Sequence, residues 1–194
     1  MSESDIVSES LQVTDLPLSG LKLFRTNPQH DRRGIVTPTY NKLLFDRLGI
    51  AFDVIHENWC WSPMAGTIRG FHYQRPPHGQ AKLVQVTQGR ILDVVVDLRR
   101  SSPTFGRHIK TELSASAWSQ IFVPEGFAHC YCTLDADTVA IFKLGASYSP
   151  TYATGLAWND PDLNIDWPIE ESAAIVLERD LQRPRFRDLT EFFP

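Results

Sequence analysis

The sequence predicts an all-β fold, either a sandwich or a barrel. Apolar and polar residues alternate along several short segments, and turn-forming sequences such as SSPTFG and DAD separate these segments. The clearest pair of strands, KLVQVTQGRILDVVVDLR, is joined by a predicted tight turn at Thr87–Arg90. Helical spacing is confined to a segment from Asn41 to Leu48, with Asn41 as a candidate N-cap, so the helices of a βαβ pattern are missing. Many short strands at regular spacing therefore favour a sandwich or a barrel.

The length of 194 residues suits one domain. We predict a flexible, acidic N-terminus over residues 1–12 and a single domain over residues 13–194. After Ser149 the chain is rich in Pro, Asp and aromatic residues and has little regular period. We expect this part to be an irregular arm that wraps the β core.

Net charge, hydrophobicity and cysteine content indicate which partners and which cellular compartment to expect. The formal net charge of −4 gives no basic footprint, so nucleic acid is not an expected partner. No apolar run approaches about 18 residues, and the start lacks the pattern of a signal peptide, so we expect no membrane partner. The three cysteines, Cys60, Cys130 and Cys132, form no CxxC motif and fit a cytoplasmic protein. Cys130 and Cys132 alternate along a predicted strand, and we expect both to face the same side as buried thiols.

The segment GTIRGFHYQ (66–74) places an arginine and a histidine in a predicted strand. Arg69 and His72 are three positions apart and would point to opposite faces of a regular strand, unless a bulge or a bend at Gly70 reorients one of them. Two interpretations stay open. The pair floors a common pocket, or it is a core histidine beside a surface arginine.

A second segment, PEGFAH (124–129), predicts a turn into a strand that presents His129 inside a small barrel. Its P-x-G-x-x-H pattern resembles the second motif of the cupin superfamily, and GTIRGFHYQ occupies the place of the first. Metal-binding cupins carry H-x-H and a following Glu there, whereas this chain has His72-Tyr73-Gln74 and no Glu before Arg90. His72, His78 and His129 could supply three ligands, but His78 lies in a Pro-rich loop, so we expect no metal.

Taken together, the motifs resemble the dTDP-4-dehydrorhamnose 3,5-epimerase family from Arg33 to Asp188. The segments that carry the resemblance are DRRG (31–34), TIRGFHYQ (67–74), QAKLV (80–84), DVVVDLRRSSPTFG (93–106), VPEGFAH (123–129), YSP (148–150), WNDP (158–161) and LERD (177–180). The resemblance implies a cupin jelly-roll β-barrel with an irregular C-terminal arm. It also implies a homodimer that exchanges N-terminal strands.

The resemblance also implies roles for individual residues. His72 would be the catalytic base, Asp180 its carboxylate partner, and Lys82 and Tyr148 further catalytic groups. The substrate, a nucleotide-diphosphate sugar, would be bound by Arg33, Asn58, Arg69, Gln74, His129 and Trp158. The implied reaction inverts C3, C5 or both in a nucleotide-linked 4-keto-6-deoxy sugar through an enolate, and it needs no cofactor.

The residue types suit that chemistry. A hydrogen on a carbon next to a ketone can be removed by a neutral imidazole. A lysine near the ketone oxygen would stabilise the enolate, and arginines bind a diphosphate in a bidentate manner.

One departure from the family pattern puts the full reaction in question. Phe142 occupies the place of a tyrosine that protonates the enolate on the face opposite the base, and phenylalanine has no proton to give. Either Tyr148, Tyr131, a thiol or water donates instead, or the enzyme inverts a single centre, or its product differs, as in a ketoisomerase. A non-catalytic cupin that only binds a sugar nucleotide is a further alternative. Val36 and Pro38 also depart from the pattern near the N-terminal arm, which leaves dTDP-, CDP- and GDP-sugars open.

Overall fold

The computed structural model describes residues 11–194. Fourteen strands and two short helices form the regular structure of that range. The strands are β1 (Leu11–Asp15), β2 (Lys22–Thr26), β3 (Gln29–Asp31), β4 (Gly34–Val36), β5 (His56–Ser62), β6 (Thr67–Gln74), β7 (Lys82–Gln88), β8 (Arg90–Asp97), β9 (His108–Ser114), β10 (Ser119–Val123), β11 (Phe127–Thr133), β12 (Thr138–Leu144), β13 (Ala153–Gly155) and β14 (Ile175–Val176). The helices are α1 (Lys42–Arg47) and α2 (Glu178–Leu181), and single 3₁₀ turns lie at Glu171–Ala173 and Phe186–Asp188.

Two six-stranded sheets face each other. The first has the order β1-β2-β10-β7-β12-β5, and the second has the order β13-β6-β11-β8-β9, with β14 added parallel to β6. The strands β3 and β4 form a separate hairpin. This is the cupin jelly-roll barrel that the resemblance implies, and the all-β prediction is confirmed.

The predicted helix and the predicted tight turn are both present, and the ends of the helix differ slightly from the prediction. α1 begins after Asn41, whose side-chain oxygen accepts a hydrogen bond from the N–H of Leu44 at 3.2 Å, so Asn41 is the predicted cap. Gly89 has a φ of 75° in the tight turn between β7 and β8. β1 begins at Leu11, within the segment 1–12 that the sequence predicts to be flexible. Residues 1–10 lie outside the described part of the chain.

Three apolar clusters hold the layers together. The first fills the barrel between the sheets, with Val84 and Phe142 from one sheet packed against Val95 and Tyr131 from the other. The second covers the outer face of the second sheet, where Cys130 and Cys132 are both buried, as predicted. The third lies under α1 on the outer face of the first sheet.

The C-terminal arm supplies much of the second cluster. Trp158 and Trp167 pack at a centroid distance of 5.8 Å over the outer face of the second sheet. β13 and β14 attach the arm to β6 at its two ends, since β13 pairs with residues 72–74 and β14 pairs with residues 67 and 68. The arm is therefore anchored at both ends of the strand that carries His72. No helix within residues 11–194 is long and apolar enough to cross a membrane.

Candidate active site

A cavity of about 350 Å³ opens between the two sheets. Eight of the ten predicted site residues line it: Asn58, Arg69, His72, Gln74, Lys82, His129, Tyr148 and Asp180. They come from four strands, one loop and α2, so the barrel gathers residues that are far apart in the sequence.

A bulge in β6 explains how Arg69 and His72 reach the same cavity. Opposite β11, His72 pairs with His129 and Arg69 pairs with Tyr131, so three steps along β6 face two steps along β11. The extra residue shifts the alternation of the strand and turns both side chains inward. Gly70 lies in this irregular stretch with a φ of 141°. The pocket interpretation of this segment therefore holds, and the interpretation as a surface arginine is wrong.

His72 and Asp180 form a close pair at one wall of the cavity. Both carboxylate oxygens of Asp180 lie 2.9 Å from Nε2 of His72. Asp180 is 2% exposed, whereas the imidazole is 37% exposed. Burial opposes ionisation of Asp180, but the hydrogen bond from His72 and the charges of Arg183 and Arg179 lower its pKa below the ordinary value. An ionised Asp180 accepts a hydrogen bond from Nε2–H and leaves the lone pair of Nδ1 free to act as a base.

A second histidine–carboxylate pair lies deeper. Nε2 of His129 is 2.6 Å from Oδ2 of Asp93, and both side chains are buried. Oδ1 of Asp93 has no hydrogen-bond partner within residues 11–194. Lys82 shares this environment: burial lowers its pKa to about 8, and the negative charge of Asp93 acts in the opposite direction. A buried ammonium of this kind is available to stabilise a developing oxyanion.

Gln74 holds the loop that carries Tyr148. Its amide nitrogen donates to the carbonyls of His78 and Ser147 at 2.9 and 3.2 Å, and its oxygen accepts from the N–H of Ser149 at 2.6 Å. These contacts give Gln74 a positioning role, and its predicted contact with substrate stays a prediction. Tyr148 is 59% exposed, so it lies at the mouth of the cavity.

Comparison with known proteins shows the family of this chain. The family model for dTDP-4-dehydrorhamnose 3,5-epimerase matches residues 15–188. The chain belongs to this family. A protein of that name from Sinorhizobium fredii is 35% identical over 185 residues, which cover 95% of this chain and 94% of the relative.

Two solved structures of the family show the same fold. The crystal structure of dTDP-4-dehydrorhamnose 3,5-epimerase from Bacillus anthracis, with TDP and PPi bound, is 39% identical, covers 91% of this chain and 99% of its own, and gives a TM-score of 0.87. ChmJ, a 3'-monoepimerase from Streptomyces bikiniensis in complex with dTDP-quinovose, is 30% identical, covers 88% of this chain and 85% of its own, and gives a TM-score of 0.81. Structures of this shape therefore include an enzyme named for a single centre.

Two residues that the family resemblance pointed to lie elsewhere. Trp158 is 2% exposed and packs in the second apolar cluster on the outer face of the second sheet, so the prediction that it binds substrate is wrong for this cavity. Arg33 lies at the turn of the β3–β4 hairpin, where its exposed guanidinium pairs with Asp31 at 2.6 Å. It does not line the cavity of its own chain. A tryptophan that packs in a core and a tryptophan that stacks on a sugar look the same in a sequence, so the sequence did not distinguish these two roles for Trp158.

Several lining residues were missed by the sequence analysis. Arg179 and Arg183 accompany Asp180 from the arm, and their Nε atoms lie 3.8 and 3.6 Å from its Oδ1. The arm has no period that would have placed them. Asp93 does not line the cavity but pairs with His129, which does. It left a signal in the sequence, because a carboxylate inside the apolar run ILDVVVDL needs a buried partner.

Phe142 lines the cavity as the family comparison of the sequence predicted. Its ring lies 5.9 Å from that of His129 and 5.7 Å from that of Tyr131, measured between centroids.

No group of three His, Cys, Asp or Glu side chains within residues 11–194 is arranged to hold a metal ion. His78 stacks on Tyr152 at 4.3 Å.

Proposed function

We propose that this protein is an epimerase of a dTDP-linked 4-keto-6-deoxy sugar that works through an enolate. The observation that carries the proposal is the contact between His72 and the buried carboxylate of Asp180, in one cavity with Lys82. A protein that only binds sugars needs no base of this kind. The names of the relatives support the choice of substrate class.

The residues fit the first step of the reaction. Nδ1 of His72 removes the proton from a carbon next to the ketone, and Asp180 stabilises the imidazolium that forms. The electron pair of the broken C–H bond moves onto the ketone oxygen, where the Lys82 ammonium stabilises it. Such a contact contributes about 3 kcal/mol to the stability of a transition state. The reaction moves protons only, so it requires no redox cofactor.

The charged groups around the cavity suit the diphosphate. Arg69 donates from Nε to Oγ of Ser62 at 3.3 Å and from Nη2 to the carbonyl of Trp61 at 3.1 Å, which fixes its guanidinium beside the cavity. Arg179 and Arg183 add positive charge on the arm side. Guanidinium groups bind phosphates in a bidentate manner.

The test is incubation with dTDP-4-keto-6-deoxyglucose in D₂O, followed by NMR. Deuterium at C3 and C5 with inversion at both centres is the result expected for the full reaction. Deuterium and inversion at one carbon would instead establish the single-centre alternative, which Phe142 and the similarity to a 3'-monoepimerase favour. A wild-type enzyme that binds the sugar nucleotide but exchanges no hydrogen would reduce the protein to a binder and refute the proposal.

We propose further that the active form is a homodimer in which the β3–β4 hairpin serves the partner's site. Ile35 and Val36 on the hairpin are exposed, as are Trp59 and Trp61 on the edge strand β5, and contact with a second copy would cover such apolar surface. Arg33 lies on the same hairpin.

Subunit mixing tests this arrangement. We expect Arg33→Ala and His72→Asn each to be weakly active alone. Their mixture should regain about one quarter of wild-type activity, because half of the dimers are mixed and each has one intact site. A monomer in sedimentation equilibrium, or a mixture without gain, would contradict the dimer proposal.

We also propose that the protein works in the cytoplasm. The three cysteines of the chain are all unpaired, which fits a reducing compartment. Fractionation of the producing cells should find the activity with cytoplasmic markers.

A further inference from the structure

Inversion of a carbon needs a second proton-transfer group, and this requirement rests on the proposed function. A base removes the proton from one face of the sugar ring, so the new proton must come from the other face. Returning it from His72 would restore the starting configuration. Phe142 has no acidic hydrogen, so a donor must be found among the other groups that line the cavity.

Tyr131 lines the same cavity as His72. It is a residue of β11, pairs across the strands with Arg69 and is 3% exposed. Its ring packs against Phe142 of the facing sheet, within the core of the barrel. Asp180 holds His72 at the arm side of the same cavity. Donation to the opposite face requires the sugar ring to bind between the imidazole and the phenol, both of which line this cavity.

The hydroxyl of Tyr131 is buried and has no hydrogen-bond partner within residues 11–194. Leaving such a group unpaired costs about 1–3 kcal/mol. The nearby hydroxyl of Ser62 acts to lower the pKa of Tyr131, but the two hydroxyls are not positioned to form a hydrogen bond. Oγ of Ser62 instead accepts a hydrogen bond from Nε of Arg69 at 3.3 Å. An unpaired buried donor beside a substrate cavity is explained if the substrate is its partner.

We propose that Tyr131 is the general acid that protonates the enolate carbon and completes the inversion. The O–H bond of Tyr131 breaks as the new C–H bond forms, the enolate C=C electrons supply that bond, and the C=O bond is restored. Tyr131 is left as a phenolate and His72 as an imidazolium. Transfer of the imidazolium proton to the phenolate through water returns both groups to their starting states, and no oxidant or reductant is involved.

The surroundings of Tyr131 suit both protonation states. Burial raises its pKa well above the ordinary value, so the hydroxyl is protonated and ready to donate at neutral pH, whereas the charge of Arg69 acts in the opposite direction and stabilises the phenolate. Other donors fit less well. Tyr148 is 59% exposed at the mouth of the cavity. Cys60 is a half-buried thiol on the edge strand β5, where burial raises its pKa and the charge of Arg69 acts in the opposite direction.

The test separates proton removal from inversion. In Tyr131→Phe we expect hydrogen exchange into recovered substrate to continue in D₂O, because His72 is intact, while inversion falls by about 10²- to 10⁴-fold. The melting temperature should not fall, because an unpaired hydroxyl is being removed. Tyr152→Phe, outside the cavity lining, is the matched control and should keep wild-type exchange and inversion.

A hydroxyl swap gives an independent readout. The double variant Tyr131→Phe/Phe142→Tyr moves the hydroxyl to the neighbouring ring and should regain inversion. Inversion at the wild-type rate in Tyr131→Phe would overturn the proposal, and so would a parallel loss of exchange and inversion or a double variant as inactive as the single one. Absence of exchange in the wild-type enzyme would instead mean that the proposed function itself is wrong, and this inference would fall with it.

Discussion

Both carboxylate oxygens of Asp180 lie 2.9 Å from Nε2 of His72, although 108 residues separate the two in the sequence. α2 presents Asp180 from the arm, and the bulged strand β6 presents His72 from the barrel. The pair therefore exists only where arm and barrel meet.

Asp180→Asn should lower kcat by about 10²- to 10⁴-fold with a smaller effect on KM. The amide cannot stabilise the imidazolium, and it can hold the ring in the wrong tautomer. Steady-state kinetics with the dTDP-4-keto sugar provide the measurement. Asp188→Asn, an exposed change in the same arm, is the control and should leave kcat unchanged. A kcat for Asp180→Asn within a few-fold of the wild-type value would remove Asp180 from the mechanism.

Activity should fall as pH rises through about 8, because burial lowers the pKa of Lys82 to about 8 and the neutral amine loses its charge stabilisation of the enolate. The measurement is the pH profile of kcat/KM. Lys82→Arg stays charged well above this pH, so its profile should lack the fall near pH 8 even if its rate is lower. An identical alkaline limb in both enzymes would show that another group is responsible.

The same shift predicts an effect of pH on stability. The folded-state pKa of Lys82, about 8, lies below the ordinary value of 10.5, so the folded state binds fewer protons than the unfolded state between these pH values. The free energy of unfolding of the wild type should therefore gain about 3 kcal/mol relative to Lys82→Met between pH 8 and 10.5. Urea unfolding of both proteins at several pH values measures the difference. A difference in the free energy of unfolding that does not change with pH would contradict the lowered pKa of Lys82.

Gly70→Ala should destabilise the fold by about 3 kcal/mol or more and disturb the site. A Cβ at this position would lie 2.5 Å from Cα of Cys130 and 2.7 Å from the carbonyl oxygen of His129, at a φ of 141°. Gly34→Ala is the matched control, since its φ is 128° but nothing lies within 4 Å of the added atom. It should cost about 1 kcal/mol, the backbone part alone. Equal losses in the two variants would show that close packing against β11 is unimportant.

Asp97 should contribute to stability above about pH 4. Burial opposes its ionisation, but hydrogen bonds from the side chain and N–H of Arg99 and the hydroxyls of Ser102 and Thr104 lower its pKa to about 2. This contribution, about 2 kcal/mol, is present above the unfolded pKa and is lost as the pH falls from about 4 to 2. Thermal unfolding of Asp97→Asn and wild type should therefore differ most at pH 7 and converge in acid.

A control for this prediction is Asp135→Asn. Asp135 also pairs with an arginine, Arg90, through two contacts of 2.9 Å, but the pair is exposed. Its loss should cost much less than the loss of Asp97, because exposed ion pairs contribute little. A larger loss for Asp135→Asn than for Asp97→Asn would contradict the role of burial.

The sequence by itself determined the fold class, the family and most of the predicted site residues that the cavity brings together. Strand alternation and turn residues are local properties of the chain, so β7, the turn at Gly89 and β8 could be predicted from neighbouring residues alone. The motifs around His72, Lys82 and His129 could be recognised for the same reason, because each is a short, continuous segment.

Only the tertiary structure decided how these residues act together. The bulge in β6 depends on pairing with β11, the environment of Lys82 depends on Asp93 from another strand, and Trp158 joins the core instead of the cavity because the arm packs over the second sheet. The unpaired hydroxyl of Tyr131 likewise reflects everything that surrounds it. Burial, charge interactions and strand register all depend on residues that are distant in the sequence, so a local sequence pattern does not determine them.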